Sequence, residues 1–326
     1  MRLLKDIIYG VRIEHVVGST NIAIDGIAYD SRKIVQFGMF VAIPGTQVDG
    51  HDYIETAISQ GAIAILCEKL PQETKEGIAY IVVQDAGTSL GVVASNFYDN
   101  PSEKMKLVGV TGTNGKTTSA TLMYNLFRMM GYKVGLLSTV VNKINNEDVI
   151  ATHTTPNALD LNALLAEMVE KGCSYCFMEV SSHAVSQKRI AGLSFAGGIF
   201  TNITRDHLDY HGTFDNYIAA KKGFFDALPS EAFALTNADQ PHGETMVQDT
   251  KARVQTYALS SVADFRAKVL ENQFNGLHLS VDGQELYTKL IGGFNAYNIL
   301  AAYGAAMLLG QEKIDVLTTI SNLNSV

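Results

Sequence analysis

The sequence of 326 residues has only three cysteines, no long apolar run and no excess of basic residues. Three cysteines do not make a disulfide framework. No apolar run approaches the roughly 18 residues that a membrane-spanning helix needs. Lys5 and Asp6 interrupt the first ten residues, which argues against a secretory signal. A formal net charge of −8 argues against a protein that coats nucleic acid or an anionic membrane. We therefore expect a cytoplasmic protein with neither nucleic acid nor membrane as a partner.

Cys173 and Cys176 have the C-x-x-C spacing of a redox pair. A redox pair lies at a helix N-terminus, where the thiol pKa is lowered. Cys176 instead opens an apolar run, residues 176–180, that predicts a strand. We interpret both residues as buried, unreactive thiols.

Composition and periodicity predict an α/β protein of about two domains. Hydrophobic residues make up 47% of the chain and charged residues 18%, as in a globular protein with a sizeable core. Residues 1–98 predict a small N-terminal α/β domain, with strands at 27–29, 39–43, 62–66 and 79–83 and helices at 53–59 and 90–97. The polar segment 99–104 is the predicted boundary.

Residues 99–326 predict a second α/β domain. Its apolar runs alternate with helical patterns, which favours a mostly parallel central sheet, with strands at 107–110, 134–138, 176–180, 198–202 and 233–237. Asn275-Gly276 and Asp282-Gly283 are turn signals that predict hairpins between residues 262 and 290. A helix is predicted over residues 295–309.

Residues 111–118, Thr-Gly-Thr-Asn-Gly-Lys-Thr-Thr, form a glycine loop between a predicted strand and a predicted helix. Glycines let backbone N–H groups approach phosphate oxygens, and a helix N-terminus adds partial positive charge. Lys116 can reach the β- and γ-phosphates, and the Thr117 hydroxyl can ligate Mg²⁺. Val110 occupies the first glycine position of the usual G-x-x-x-x-G-K-T pattern. The loop predicts binding of a nucleoside triphosphate, and with it the second domain resembles a P-loop ATPase.

Two acidic or histidine-containing segments follow predicted strands. Glu179 precedes Ser181-Ser182-His183, so it is either a helix-capping acid or a Mg²⁺ ligand beside the glycine loop. His207 lies in a segment with Asp206 and Asp209, which is either a solvated polar loop or a metal-binding loop.

Lys221 lies near the centre of an apolar helical stripe, which also contains Phe214, Tyr217, Ile218, Phe224 and Phe225. An isolated buried ammonium group is energetically expensive. The lysine therefore either extends its amine to water, pairs with an anionic ligand or is chemically modified.

In the first domain, two short polar loops follow strands, Asp30-Ser31-Arg32 and the segment 44–51. Each is either an ordinary turn or a loop that holds a small polar ligand.

Taken together, these motifs resemble the Mur ligases, ATP-dependent amide-forming enzymes of peptidoglycan precursor synthesis. The matching segments lie in the family's order, at residues 109–118, 154–156, 178–189, 202–212, 219–221, 237–239 and 293–298. Three elements resemble members that add the third peptide residue, namely Asp30-Ser31-Arg32, Asp49-Gly50-His51 and Thr154-Thr155-Pro156.

The resemblance implies a monomeric ligase that uses ATP and Mg²⁺ to join an amino acid to UDP-N-acetylmuramoyl-L-alanyl-D-glutamate through an acyl phosphate. The amino acid is meso-diaminopimelate, with L-lysine as the alternative. The implied nucleotide-binding residues are Gly112, Thr113, Asn114, Gly115, Lys116, Thr117, Thr118 and Asn295. The implied metal ligands are Thr117, Glu179, His207 and a carbamylated Lys221, and the implied catalytic residues are Lys116, Glu179, His207 and Lys221. The uridine end of the substrate would meet Ser31, Thr46 and Gln47, and the muramoyl-peptide end Thr154, Thr155, Ser181, Gln187 and Arg189.

Two departures from the family pattern affect these expectations. The family often has Asn-Ala-Asp-Asp where this chain has Asn237-Ala-Asp-Gln240. The family's third domain, with its Asp-Asn-Pro-Arg motif, has no counterpart here, since Asp99-Asn100-Pro101 is followed by Ser102. We therefore expect this chain to bind its ligands without catalysing ligation by itself. The alternatives are an ATP- and precursor-binding fragment that has no enzymatic role and a ligase of the folylpolyglutamate synthase type.

Overall fold

The computed structural model describes residues 1–45, 48–149 and 155–323. Within them the chain divides into two compact units. The first unit consists of residues 1–101, 156–166 and 187–193, and the second contains the rest of the described chain. Both units are α/β, which confirms the predicted fold class. No helix in these described ranges has the length and apolar composition needed to cross a membrane.

The first unit is built on a five-stranded sheet of order β2-β7-β6-β5-β4, and β1 pairs with β3 beside it. Its elements are β1 (Arg2–Leu3), α1 (Leu4–Ile7), β2 (Ile13–Val17), β3 (Ala23–Ile24), β4 (Ile27–Ala28), β5 (Gly38–Val41), α2 (Ile54–Ser59), β6 (Ala62–Cys67), β7 (Ala79–Val83) and α3 (Ala86–Phe97). Strands β4 to β7 are parallel, and β2 is antiparallel. Helix α3 begins four residues before its predicted start because the Asp85 carboxylate accepts a hydrogen bond from Thr88 N at 2.8 Å.

Two later segments of the chain also belong to the first unit. Ala158 is buried in the same apolar core as Leu90 and Val93. Gly91 of α3 lies so close to the segment 187–193 that a Cβ there would be 2.3 Å from Ala191 O. These contacts explain why the first unit extends beyond residues 1–98, the range of the predicted N-terminal domain.

The second unit contains most of the regular elements. They are β8 (Lys106–Thr111), α4 (Lys116–Met129), β9 (Val134–Leu137), β10 (Asn142–Ile144), β11 (Glu147–Val149), α5 (Ala158–Glu170, of which only the last four residues belong here), β12 (Tyr175–Glu179), α6 (Ser182–Ser186), β13 (Gly197–Phe200), α7 (Leu208–His211), α8 (Phe214–Asp226), β14 (Phe233–Asn237), α9 (Gly243–Val247), β15 (Arg253–Ala258), β16 (Phe265–Gln273), β17 (Gly276–Val281), β18 (Gln284–Thr288), α10 (Phe294–Leu308) and α11 (Lys313–Asn322).

An eleven-stranded sheet runs through the second unit in the order β11-β10-β9-β12-β8-β13-β14-β15-β16-β17-β18. The central strands from β9 to β16 are parallel, and antiparallel strands extend both edges. Helices α4 and α10 contribute to the main apolar core. Because β12, β8, β13 and β14 are neighbours, their carboxyl ends bring together Glu179, Thr111, Phe200 and Asn237.

The three cysteines are free and buried. Burial raises the pKa of each thiol, and that of Cys67 to about 11. The thiolate form is therefore disfavoured in all three, in agreement with the predicted unreactive role.

Candidate functional site

The glycine loop connects β8 to α4, and two of its glycines have backbone conformations that disfavour other residues. Gly112 has φ +154°, and a Cβ there would lie 2.0 Å from Thr201 Oγ1. Gly115 has φ +85°, and a Cβ there would lie 2.7 Å from Asn298 Oδ1. The loop therefore packs directly against neighbouring elements, with no room for a side chain at either position.

Strand β13 and the residues after it hold the glycine loop in place. Thr113 N donates to Asn202 O at 2.8 Å, and Asn114 N donates to Asn202 Oδ1 at 2.9 Å. The Asn114 carbonyl accepts from Thr201 Oγ1 at 2.7 Å and from Asn202 Nδ2 at 3.0 Å. These bonds fix the loop backbone through the protein alone.

Lys116 curls over the loop that precedes it. Its Nζ donates to Gly112 O at 3.0 Å and to Thr113 O at 2.9 Å. Burial lowers the pKa of Lys116, and the negative charges of Glu179 and Asp206 oppose that effect. The result is a cation held at the mouth of a backbone cradle, where a phosphate oxygen would be bound.

Lys221 reaches the same backbone carbonyl from α8. Its side chain is 1% exposed, and its Nζ donates to Gly112 O at 2.8 Å and lies 4.7 Å from the centre of the Tyr217 ring. Burial, reinforced by the charge of Lys116, lowers the pKa of Lys221 to about 7. The apolar stripe of α8 therefore predicted the burial of this lysine correctly, and its amine is neutral in a large fraction of molecules at pH 7.

Glu179 is a buried carboxylate beside the start of α4. Its Oε1 accepts from Thr117 Oγ1 at 2.9 Å and from Thr139 N at 2.7 Å, and its Oε2 accepts from Thr139 Oγ1 at 3.1 Å. Ser181 Oγ, rather than Glu179, accepts the Ala184 N–H in the first turn of α6. The helix-capping interpretation of Glu179 is therefore wrong.

His207 lies at the N-terminus of α7 with φ +51°, and its N–H donates to Asp206 Oδ1 at 2.9 Å. Its ring is 5.0 Å from the ring of His183. Among the described residues, no three His, Cys, Asp or Glu side chains form a cluster that could hold a metal ion. A magnesium ion at this site would therefore need oxygen atoms from Thr117, Glu179 and the phosphates, which is the usual coordination of protein-bound Mg²⁺ with nucleotides.

Asn295 belongs to a chain of buried polar side chains that reaches α4. Asn295 Nδ2 donates to Ile291 O at 2.8 Å, and Asn298 Nδ2 donates to Asn295 Oδ1 at 2.9 Å. Ser119 Oγ in turn donates to Asn298 Oδ1 at 3.2 Å. Asn295 is therefore connected through side chains to the first turns of the helix that carries Lys116 and Thr117.

The remaining predicted substrate residues divide between the two units. In the first unit, Ser31 is buried, and the carboxylate of the preceding Asp30 binds the Arg32 guanidinium at 2.8 and 2.9 Å. That guanidinium lowers the pKa of Asp30 to about 2. Gln187 Oε1 accepts from Arg189 Nε at 2.9 Å in the same unit.

In the second unit, Thr155 Oγ1 donates to Glu179 O at 3.0 Å, which brings it to the end of β12. Thr118 follows Thr117 in the first turn of α4. Thr46, Gln47 and Thr154 lie outside the described residues.

Sequence reasoning missed several residues that build the site. Asp206, whose charge acts on both Lys116 and Lys221, stands out in the sequence only as a neighbour of His207. Thr139 and Thr201 belong to no recognised motif, although they hold Glu179 and the glycine loop. Thr139 follows a predicted strand, and Thr201 is the last residue but one of the predicted strand 198–202, so position near a strand end was the available signal.

Comparisons with known proteins show what the whole chain is similar to. A family model described as "Mur ligase middle domain" matches residues 110–306, and one described as "Mur ligase family, catalytic domain" matches residues 23–114. The "UDP-N-acetylmuramoyl-L-alanyl-D-glutamate--2,6-diaminopimelate ligase" of Cytophaga hutchinsonii is 54% identical over 323 residues, which are 99% of this chain and 66% of the relative. The protein of the same name from Bacteroides fragilis is 53% identical over 99% of this chain and 67% of its own length.

A solved structure described as "Structure of UDP-N-acetylmuramoyl-L-alanyl-D-glutamate--2, 6-diaminopimelate ligase" superposes on this chain with a TM-score of 0.86. The match covers 100% of this chain and 67% of the solved one, at 24% identity, which shows a shared fold. The chain therefore spans about two thirds of the length of the curated relatives that it matches.

Replacing Lys221 with Met should change how stability depends on pH. Because burial lowers the pKa of Lys221 from 10.5 to about 7, the folded chain binds fewer protons than the unfolded chain between these values. The stability of the wild type should therefore rise with pH relative to Lys221→Met, by about 3 kcal/mol between pH 7 and 9.5. Urea unfolding in bicarbonate-free buffer measures this difference.

Lys222→Met is the matched control, since Lys222 lies between Asp226 and Asp249. Although burial opposes them, these carboxylates raise the pKa of Lys222. Its replacement should therefore add no pH dependence in this window. If the free energies of unfolding of the wild type and Lys221→Met changed with pH in parallel, burial would not lower the pKa of the Lys221 amine, and this interpretation would be wrong.

Proposed function

The chain belongs to the Mur ligase family, and we propose that it is the ATP- and precursor-binding part of a ligase that adds meso-diaminopimelate to UDP-N-acetylmuramoyl-L-alanyl-D-glutamate. The observation that carries this proposal is the preformed cradle of the glycine loop, with Lys116 and Lys221 on one carbonyl and Thr117 beside the buried Glu179. Curated relatives of that name, 54% and 53% identical, support the reaction and favour diaminopimelate over L-lysine.

In this proposal the backbone of residues 112–118 holds the phosphates of ATP, and Asn295 faces the adenine. The fit rests on a loop backbone that Thr201 and Asn202 hold in place and on hard oxygen donors, Thr117 and Glu179, at its edge. Thr117 and Glu179 would hold one Mg²⁺ ion together with the phosphates, and His207, which forms no metal-binding cluster with other described side chains, would serve a second Mg²⁺ ion. ATP supplies the phosphoryl group that activates the precursor carboxylate toward the incoming amine. Lys116 neutralises negative charge on the transferring group and keeps it aligned.

Lys221 has a separate role, as a lysine that is carbamylated. A neutral amine attacks CO₂, a C–N bond forms, and the nitrogen releases a proton to leave a carbamate anion. Burial and the neighbouring charge of Lys116 favour the neutral amine that this reaction needs. The carbamate would replace the repulsion between Lys116 and Lys221 with attraction, and its oxygens would join the metal ligands.

The substrate is held at two ends. Ser31, Thr46 and Gln47 would bind the uridine end, and the muramoyl-peptide end would meet Thr154, Thr155, Ser181, Gln187 and Arg189. The oxygen and amide donors of these side chains suit a polar, anionic substrate. We expect the protein to act as a monomer in the cytoplasm.

Lys116→Ala should weaken ATP binding at least about tenfold, because a charge-assisted contact to phosphate is lost. Titration calorimetry of the 326-residue chain measures this, and binding of UDP-N-acetylmuramoyl-L-alanyl-D-glutamate should be unchanged.

In the protein at full length, phosphate release from ATP should require this precursor together with meso-diaminopimelate, and Lys116→Ala should abolish it. Unchanged ATP affinity in Lys116→Ala would refute the assignment of the glycine loop and Lys116 as the phosphate-binding site. Preference for L-lysine, or turnover with a folate and glutamate, would refute the assigned reaction.

Intact-mass spectrometry under native conditions should show the chain heavier by one CO₂ in bicarbonate buffer and lighter again after acidification. Lys221→Met should lack this increment, whereas Lys222→Met should keep it. An increment that persists in Lys221→Met would place the modification elsewhere, and its absence from the wild type would contradict carbamylation.

A further inference from the structure

Asp239 has no role in the function proposed above, although it lies in the Asn237-Ala238-Asp239-Gln240 motif at the end of β14. Its carboxylate accepts three successive backbone N–H groups from the segment after β15. The donors are Leu259 N at 2.7 Å, Ser260 N at 3.0 Å and Ser261 N at 2.7 Å. A carboxylate in such a nest of N–H groups is strongly held.

A fourth bond connects this carboxylate to α10. Tyr297 OH donates to Asp239 Oδ2 at 3.0 Å. Burial raises the pKa of Asp239, but its hydrogen bonds outweigh that effect and lower the pKa to about 2. Burial and the neighbouring charge raise the pKa of Tyr297 to about 12. Near neutral pH the pair is therefore an ionised acceptor and a protonated donor.

Tyr297 lies between Asn295 and Asn298 in the first turns of α10. The side chain of Asn295 is oriented by Ile291 O and by Asn298, which are neighbours in sequence. These local bonds set the direction of the amide but not the position of the helix end. Asp239 supplies the connection from the helix end to the strand edge of the sheet.

The phosphate end of the site is anchored by other residues. Thr113 and Asn114 are held by Thr201 and Asn202, and none of these bonds uses the Asp239 side chain. The bonds of Asp239 and the bonds that hold the phosphate loop therefore share no side chain, and the link between the two ends runs through Asn298 and Ser119 instead. A change at Asp239 should act mainly on the base end.

We propose that Asp239 is a positioning residue for the base end of the nucleotide, acting through Tyr297 on Asn295. This inference rests on the proposed function, in which ATP binds the glycine loop and Asn295 faces the adenine. The Asp239 carboxylate makes all four of the contacts described, so none of them uses the side chain at position 240.

The test compares ATP with inorganic tripolyphosphate, which has the phosphates but no base, by calorimetry with Mg²⁺ on the 326-residue chain. Asp239→Asn should weaken ATP binding about tenfold, and Tyr297→Phe about threefold, since charge-assisted hydrogen bonds are lost. Tripolyphosphate affinity should stay within about twofold of the wild type in both variants. Tyr297→Phe removes one hydroxyl only, so it tests the inference even if Asp239→Asn does not fold.

Asp282→Asn is the matched control, because the Asp282 carboxylate accepts from Tyr303 OH of α10 at 3.0 Å and from Arg266 N at 2.9 Å. It should lower the unfolding temperature but leave ATP affinity within about twofold of the wild type.

Wild-type ATP affinity in both Asp239→Asn and Tyr297→Phe would overturn the inference, as would an equal loss of tripolyphosphate affinity. A wild-type chain that binds neither ligand would refute the proposed function and this inference with it. If the wild type bound tripolyphosphate as tightly as ATP, the phosphate site would stand, but the proposed contact between Asn295 and the base would be refuted.

Discussion

The close approach of Gly112 to the end of β13 is the constraint on which the site depends. With Thr201 Oγ1 only 2.0 Å from where a Cβ would be, the backbone can lie against the neighbouring strand only as glycine. This approach brings the Gly112 carbonyl within reach of both Lys116 and Lys221. Two ammonium groups on one carbonyl repel each other, and that repulsion, added to burial, lowers the pKa of Lys221. Local backbone packing thus sets the chemistry of a lysine more than 100 residues away in sequence.

The parallel sheet explains how distant segments meet at this point. Strand β8 ends in the glycine loop, β12 ends at Glu179, and β14 ends at Asn237, whose Nδ2 donates to Thr201 O at 3.0 Å. Glu179 and Asn237 are paired with neighbouring elements at this edge, whereas the buried Thr111 Oγ1 at the end of β8 has no hydrogen-bond partner. The paired members form a polar network above an apolar core, and such a network is rigid where its members are paired.

Much of this arrangement could be predicted from the sequence because it depends on local patterns. Apolar runs predicted the central strands, and the stripe on α8 predicted the burial of Lys221. Strand β15 was missed because its first residues are exposed and its pattern is weakly apolar. The bonds of Thr139 to Glu179 and of Asp239 to residues 259–261 were also missed, since they join positions 20 or more apart and no local pattern encodes them.

The glycine loop is assembled before any nucleotide binds, since Thr113 N and Asn114 N donate to Asn202 without a ligand. Amide hydrogen exchange of the nucleotide-free chain tests this assembly. We expect both amides to exchange at least about 100-fold more slowly than in an unstructured peptide. Exchange of both amides at peptide rates, with protection only after Mg²⁺ and ATP are added, would show instead that the nucleotide builds the loop.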